Sequence, residues 1–442
     1  MVRKDRKLTF IDLFAGCGGL SEGFLSSGKF DGLAHVEWET AAIDTLRRRL
    51  VTKWRHSEEL ALERVIQFDI QKTTEILFGN WGEESLARFA KRNSKLVAER
   101  GLEGVVGASR VDMVIGGPPC QAYSIAGRAQ DPFSMKNDYR NYLFESFLKV
   151  IERFRPKIFL FENVPGILSA CPGDKRVIDR IFESFSKAGY QILRPEIMKR
   201  AIFDSHDFGV PQHRKRVFIL GVEKVWAKKN RIEIEGLYDF VESRLKKTGR
   251  RGGMKTVQDA IGNLPHWLPS KELLKDGSRK LSHALQKKAS NSDAMHQTRF
   301  HNLEDQGIFK EWVVGKKNLL SNDEKIAFYN ERKNKNSKHG KYRSLEWDQP
   351  SPTIVAHLHK DGLMFIHPDP KQARCITVRE AALLQSFPKD YLFLGSMGAQ
   401  YKMVGNAVPP RMAKLFAQAL AEILTDPQIL TKMVNTVGRK RA

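Results

Sequence analysis

The chain has 442 residues, of which 74 are Lys or Arg and 51 Asp or Glu, for a formal charge of +23. A hydrophobic share of 41% with 10% aromatics is enough to bury a large core, which excludes a disordered chain. No apolar run reaches the roughly 18 residues of a membrane span, and the excess positive charge points to a polyanion, most often nucleic acid.

The basic N-terminus, MVRKDRK, leads into Leu8–Phe14, which is broken at once by Asp12 and glycines and so reads as a strand rather than a signal peptide. Leu33–Val36, Val65–Phe68, Val111–Ile115, Ile158–Phe161 and Val217–Val222 read as further buried strands. Ser21–Ser27, Ala41–Leu50, Tyr142–Phe154 and Lys175–Lys187 read as amphipathic helices. This alternation predicts an α/β chain with a parallel sheet, helices on both faces and ligands at the carboxyl ends of the strands.

The strand ends carry the chemistry. The first ends in Asp12-Leu13-Phe14-Ala15-Gly16-Cys17-Gly18-Gly19, a turn whose glycines admit a ligand closely, although GxGxxG is absent. The second ends at Glu37, an acceptor for ribose hydroxyls, and the third at Asp69, an acceptor for an adenine amino group. Each alone is structural more often than not. Together they point to a nucleoside cofactor without a pyrophosphate clamp, which S-adenosylmethionine fits better than NAD. The fourth strand ends in Gly116-Gly117-Pro118-Pro119-Cys120-Gln121, where two prolines fix the backbone before a candidate nucleophilic thiolate. Cys171 and Cys375 read as small buried hydrophobes and Cys17 as packing. With only four cysteines there is no disulfide framework, and a reducing compartment is expected.

Glu162 follows the fifth strand, where partial burial would raise its pKa and make it a proton donor; the plain alternative is an ordinary salt-bridged acid. Arg214 and Arg216, in Gln212-His213-Arg214-Lys215-Arg216, alternate to one side as cations for an anionic substrate or acid partner, or equally as a solvated basic edge. Residues 71–110 have a basic helical pattern (Arg88, Lys91, Arg92, Lys95) that reads as cover for the sheet. Residues 223–342 hold 26 Lys and Arg against 15 Asp and Glu, an excess of 11, and read as an inserted basic module rather than a long loop. His296, Arg299, Asn302 and Asn334–Lys338 are its candidate base readers. His296 and His301 lack the companions of a metal site, and no metal is expected.

These residues resemble the DNA cytosine-5 methyltransferase family. The ordered matches are Asp12–Gly19, Glu37-Trp38, Asp69-Ile70, Pro118–Gln121, Glu162–Val164, Gln212–Arg216, Arg343-x-Leu345, Pro350–Ile354, Thr377–Glu380 and Gly405–Pro410. Tyr123 departs slightly, since the family more often has Phe there.

The resemblance implies a Rossmann-like S-adenosylmethionine-dependent methyltransferase sheet with a smaller inserted target-recognition domain. Residues 1–222 and 343–442 would form the catalytic domain, with Arg411–Ile423 returning to the first strand and helix, and 223–342 would be the recognition domain. It implies that Cys120 attacks C6 of a flipped-out cytosine, that Glu162 hydrogen-bonds or protonates N3, and that Arg214 and Arg216 order Glu162 and contact substrate. Phe14, Trp38, Asp69, Ile70 and Leu143 would surround the adenine of S-adenosyl-L-methionine, with Glu37 on the ribose. Gly16, Gly18, Asn406 and Val408 would line the methionine side, and Pro119 would complete the cofactor-binding set. The loop through Ser124, Gly127 and Arg128 would close over DNA. The expected setting is a monomer on double-stranded DNA in a bacterial cytoplasm, in a restriction-modification or related defence system with an endonuclease partner. Two rivals are a tRNA cytosine-5 methyltransferase of the same fold and a catalytically silent DNA-binding relative.

Overall fold

The computed structural model describes residues 6–119, 143–249, 253–266, 295–360 and 362–430. Cys120 and the loop through Ser124, Gly127 and Arg128 lie outside the described residues. The strands are β1 (Leu8–Leu13), β2 (Phe30–Glu37), β3 (Val65–Gln67), β4 (Met113–Gly116), β5 (Ile158–Asn163), β6 (Tyr190–Gln191), β7 (Ile202–Asp204) and β8 (Lys215–Glu223). They form one sheet in the order β3-β2-β1-β4-β5-β8-β6, with β7 also on β8. The pairs among β1 to β5 are parallel. β4 and β5 are buried along their whole length, as strands covered on both faces must be.

The wholly parallel sheet expected from the sequence needs correcting. β8 is antiparallel to β5, from Ile158↔Val222 to Asn163↔Val217. The reason is the chain reversal between β7 and β8, which pair antiparallel through Asp204↔Lys215. Strands as short as β6 and β7 leave no periodic signal.

Helices Gly19–Ser26, Thr40–Thr52, Leu143–Phe154 and Val177–Lys187 stand where the periodicity puts them. The last described helix, Pro410–Thr425, crosses Gly19–Ser26 so closely that a Cβ on Gly23 would lie 2.3 Å from the Ala413 Cβ. The C-terminal segment thus returns to the first helix. Between β3 and β4 come helices Thr73–Phe78, Glu83–Phe89 and Lys95–Val106. Arg92 there donates to Gln67 Oε1 (2.6 Å) and to Asp44, and Asn93 Oδ1 accepts from Gln67 N (2.9 Å), so this segment caps the β3 edge.

The chain divides into two compact units. The first comprises 1–209, 214–253 and 408–442; the second comprises 210–213 and 254–407. These boundaries differ from those expected at 222 and 342. Helix Ile234–Gly249 stays with the first unit because Tyr238 Oη accepts from Leu220 N and donates to Phe218 O in β8, both at 2.8 Å. Residue 342 falls inside the second unit's core, where Tyr342 packs with Ile308, Phe309, Trp312, Tyr329, Ile366 and Cys375. Helices Leu303–Val314 and Asn322–Lys333 supply most of that cluster. Among the described residues no helix is long and apolar enough to cross a membrane.

Candidate active site

The strand order reverses between β1 and β4, so the crevice outside their carboxyl ends is the natural ligand position. The turn after β1 is left-handed at Phe14 (φ 58°), Gly16 (φ 56°) and Gly18 (φ 89°). Ala15 N donates to Val36 O (2.9 Å), which ties the turn to β2. A Cβ added at Gly16 would meet nothing within 4 Å, so this part of the turn faces open space. Glu37, at the end of β2, closes the site. Its Oε2 accepts from Gly16 N (2.8 Å), and its Oε1 accepts from Trp38 N (2.7 Å) and Glu39 N (2.8 Å). Burial raises the Glu37 pKa above the usual carboxyl value, and those three backbone donors oppose the rise.

Beneath the turn lies a group the sequence reading missed. Ser21 Oγ donates to Asp12 Oδ2 (2.5 Å) and sits 2.8 Å from His35 Nδ1, all fully buried. Asp12 Oδ1 and His35 Nε2 have no hydrogen-bond partner. Burial lifts Asp12 to about 7 and lowers His35 to about 3. A histidine inside the apolar run Leu33–Val36 is the signal that marks this cluster in the sequence.

Trp38 is 43% exposed, with the Arg88 guanidinium 4.3 Å from its ring centroid. Arg88 therefore belongs to the rim of the site as well as to the cover of the sheet. Asp69 Oδ1 accepts from Gln71 N (3.0 Å) on the turn after β3, while Ile70 and Leu143 are buried.

The second group sits at the ends of β4, β5 and β8. Glu162 lies opposite Phe218 of β8, and its Oε1 is 3.1 Å from Arg216 Nε. Burial raises the Glu162 pKa; the charges of Arg216 and then Arg214 pull it back. Arg214 is buried just before β8, with its backbone N donating to Asp204 Oδ1 (3.0 Å). Gly117 admits Glu162, because a Cβ there would lie 2.5 Å from Glu162 Oε2. Asn163 Nδ2 donates to Pro118 O (3.2 Å), fixing the approach to Pro119, which is exposed. Cys120 comes next in the chain.

Several expected placements change. Asn406 is exposed at the end of helix Met397–Asn406 in the second unit, whereas Val408 is buried in the first. Gly405 is required there, since its Cβ would meet Ala356 N at 2.3 Å. Cys171 is exposed, not buried; Cys17 and Cys375 are buried. Three of the candidate base readers have structural partners. His296 Nδ1 is 2.9 Å from Thr377 Oγ1 and its Nε2 2.9 Å from Pro265 O; Arg299 donates to Leu358 O and lies over Tyr401; Asn302 caps helix Leu303–Val314. His301 Nε2 accepts from Cys375 N (3.2 Å). Asn334, Lys335, Asn336 and Lys338 remain exposed.

A sheet reversing between β1 and β4, a left-handed glycine turn, an acid closing the second strand and one antiparallel strand beside β5 define the Rossmann-like methyltransferase class. The family model for C-5 cytosine-specific DNA methylase matches residues 8–422; the chain belongs to that family and is a DNA (cytosine-5)-methyltransferase. It is 34% identical to type II methyltransferase M.Bpa9945I of Bacillus paralicheniformis, over 94% of this chain and 98% of that one. It is 31% identical to type II methyltransferase M1.HphI of Haemophilus parahaemolyticus, over 95% and 88%. The crystal structure of an E. coli protein encoded within a prophage shares the fold, with a TM-score of 0.56 and 23% identity over 95% of this chain and all of that one.

Proposed function

We propose that this enzyme methylates C5 of a cytosine flipped out of a specific duplex sequence, through a covalent bond between Cys120 and C6, as the modification activity of a restriction-modification or related defence system in a bacterial cytoplasm. The observation that carries the reading is the buried Glu162, raised in pKa and 3.1 Å from Arg216 Nε, at the strand edge that leads through Pro118 and Pro119 to Cys120 in the sequence.

The first two strand ends fit S-adenosyl-L-methionine. Glu37 Oε2 accepts one backbone N–H, which leaves it a lone pair for a ribose hydroxyl. The open space at Gly16 suits the methionine side, Gly18 continues the same turn, and the half-exposed Trp38 ring gives a purine a surface to lie against. Phe14, Asp69, Ile70, Leu143 and Pro119, with Asn406 and Val408, complete the proposed set. When bound, S-adenosyl-L-methionine supplies an electrophilic methyl group and leaves as S-adenosyl-L-homocysteine.

The protein's own groups do the rest. The Cys120 thiolate forms a bond to C6, and the C5–C6 π electrons move to C5. Glu162 in its acid form donates to N3, so the ring does not build a full negative charge. Arg216 holds one carboxylate oxygen, and Arg214 adds positive charge nearby. After C5 is methylated, loss of the C5 proton returns its electrons to the ring and breaks the Cys120–C6 bond. Flipping costs a few kcal/mol of stacking and pairing.

Sequencing by bisulfite or nanopore of DNA from expressing cells reads out the target. A 5-fluorocytosine duplex should trap a covalent complex, because fluorine does not leave C5 as a proton does. Cys120→Ser should abolish transfer and trapping while leaving DNA binding. A Ser variant that still transfers methyl removes Cys120 from the reaction; methyl transfer to tRNA alone refutes the DNA reading.

A further inference from the structure

The five parallel strands all enter the sheet from a cation. Lys7 precedes β1, Lys29 precedes β2, Arg64 precedes β3 and Lys157 precedes β5, while Arg110 stands three residues before β4. This is the amino edge, opposite the carboxyl edge that carries Glu37 and Glu162. Adjacent strands lie about 4.8 Å apart, so five of them spread the cations over roughly 19 Å. Duplex DNA presents one phosphate charge per about 1.7 Å of axis, so that length faces about eleven charges.

Helix C-termini attract cations, and several helices end at this edge. That accounts for Arg64, the last residue of helix Glu58–Arg64, but not for Arg6 and Lys7, which no described helix precedes. Nor does it account for two adjoining cavities. One, of about 400 Å³, is lined by Arg100, Arg110, Arg153 and Arg155; the other, of about 640 Å³, by Arg6, Lys7, Arg64 and Arg110. Ser109 and Arg110 belong to both.

Neutralisation is incomplete. Arg153 pairs with Glu103, Arg64 with Asp31 (3.1 Å) and Arg155 with Glu223 (3.4 Å). Arg110 is 56% exposed and only 3.6 Å from Asp112 Oδ1, while Asp112 Oδ2 accepts from Thr9 N (3.1 Å). Among the described residues Arg6, Lys7 and Arg100 form no ion pair. Lys157 reports the crowding: burial, then the Arg110 charge, holds its ammonium below the ordinary lysine value.

We propose that this amino edge is a second nucleic-acid site, a rail that takes the phosphate backbone of a duplex other than the segment whose cytosine reacts at the carboxyl edge. Most of the rail is guanidinium, whose planar fork matches phosphate oxygens in pairs. The apolar lining is sparse, with Val106, Val111, Phe154 and Leu33 among polar neighbours, which favours a polyphosphate over a folded protein partner. Such contacts position DNA without reading sequence.

The test uses the full-length protein and a fluorescein-labelled 20-base-pair duplex of A·T pairs, which contains no cytosine. Lys7→Glu, Lys29→Glu, Arg100→Glu and Arg110→Glu are combined. Each phosphate contact contributes about 0.9 to the slope of log affinity against log salt, so the combined variant should lower that slope by about 3 to 4. Its affinity for the A·T duplex at low salt should fall at least about tenfold, while kcat for methyl transfer at saturating cytosine duplex stays at the wild-type value. A photo-crosslinker at Ser109 in the otherwise native protein should attach to the A·T duplex; this arm stands even if the combined variant folds poorly. An unchanged slope, or no crosslink at Ser109, overturns the proposal. So does displacement of the duplex by poly-glutamate at equal charge concentration, which would assign the edge to acidic protein. The salt slope, the A·T affinity and the crosslink do not depend on Cys120, so they fail separately from the methyl-transfer mechanism.

Discussion

Each compact unit buries a carboxylate against an arginine, and the two pairs behave in opposite ways. In the first, Arg216 Nε stands 3.1 Å from Glu162 Oε1, and burial keeps the Glu162 pKa raised. In the second, Glu380 accepts from Arg374 Nη1 (2.7 Å) and Nη2 (2.8 Å), from Thr377 N (2.7 Å), and lies 3.4 Å from His367 Nε2. Burial opposes its ionisation too, but Arg374 and His367 overcome that and hold it well below the usual carboxyl value. The lesson lies in the balance of burial against neighbouring donors and charge. A carboxylate whose lone pairs are filled by the protein is a structural part, here the capping box of helix Val378–Leu384. One whose burial outweighs the neighbouring charges favours its acid form, which is what a proton donor requires.

The largest effect should come from Glu162→Gln. It preserves shape while removing the transferable proton, and general acid groups contribute about 10²- to 10⁴-fold. Single-turnover methyl transfer should fall by that factor with little change in melting temperature. The native enzyme adds a pH arm: the acid form of Glu162 is lost as pH rises through its raised pKa, so the chemical step should slow on the alkaline side and Glu162→Gln should flatten that limb. An unaltered limb would place the acid elsewhere.

Arg374→Ala should do the reverse. It leaves Glu380 buried without its main partner, at a cost of about 3–5 kcal/mol. Denaturant unfolding should show that loss above pH 5. The difference should shrink in acid: the Glu380 contribution is present above its unfolded pKa and lost as pH falls through the lowered folded value. A variant with wild-type stability would mean that Glu380 is supported by its other donors. His296→Ala, which strips both the Thr377 and the Pro265 contact, should cost about 1–3 kcal/mol. It should leave the methylated sequence unchanged. A shifted target would restore His296 as a base reader.

This contrast also explains what the sequence made legible. In the sheet, Glu37, Asp69 and Glu162 close apolar runs and so announced themselves by position, whereas the buried Asp12 and His35 lie within β1 and β2 and did not. The direction of β8 did not, because it depends on β6 and β7, each three residues or fewer. Boundaries were hidden for a similar reason: Tyr238 reaches back to β8, and Tyr342 looks like any aromatic until its neighbours from 308 to 375 are assembled. In the second unit, polar side chains such as His296, Arg299 and Asn302 have the composition of DNA readers. Only the fold reveals that each of them has a partner within the unit: Thr377 and Pro265 for His296, Leu358 for Arg299, and Asp305 N for Asn302.

The smallest effect tests the least legible part of the site. Asp12 is buried with Oδ1 unpartnered, its pKa lifted to about 7 against an ordinary 3.8. A raised carboxyl binds its proton more tightly folded than unfolded, so its contribution is complete below about pH 4. It is lost as pH rises through 7. Asp12→Asn keeps the acceptor for Ser21 and removes the charge. Relative to the native chain it should gain stability as pH rises from 5 to 8, and it should be the more stable of the two at pH 8. Thermal melts at the two pH values decide this. Equal differences at both would mean that Asp12 carries its charge throughout, and the buried Asp12–Ser21–His35 group would then have to stabilise an anion with no donor beyond one serine.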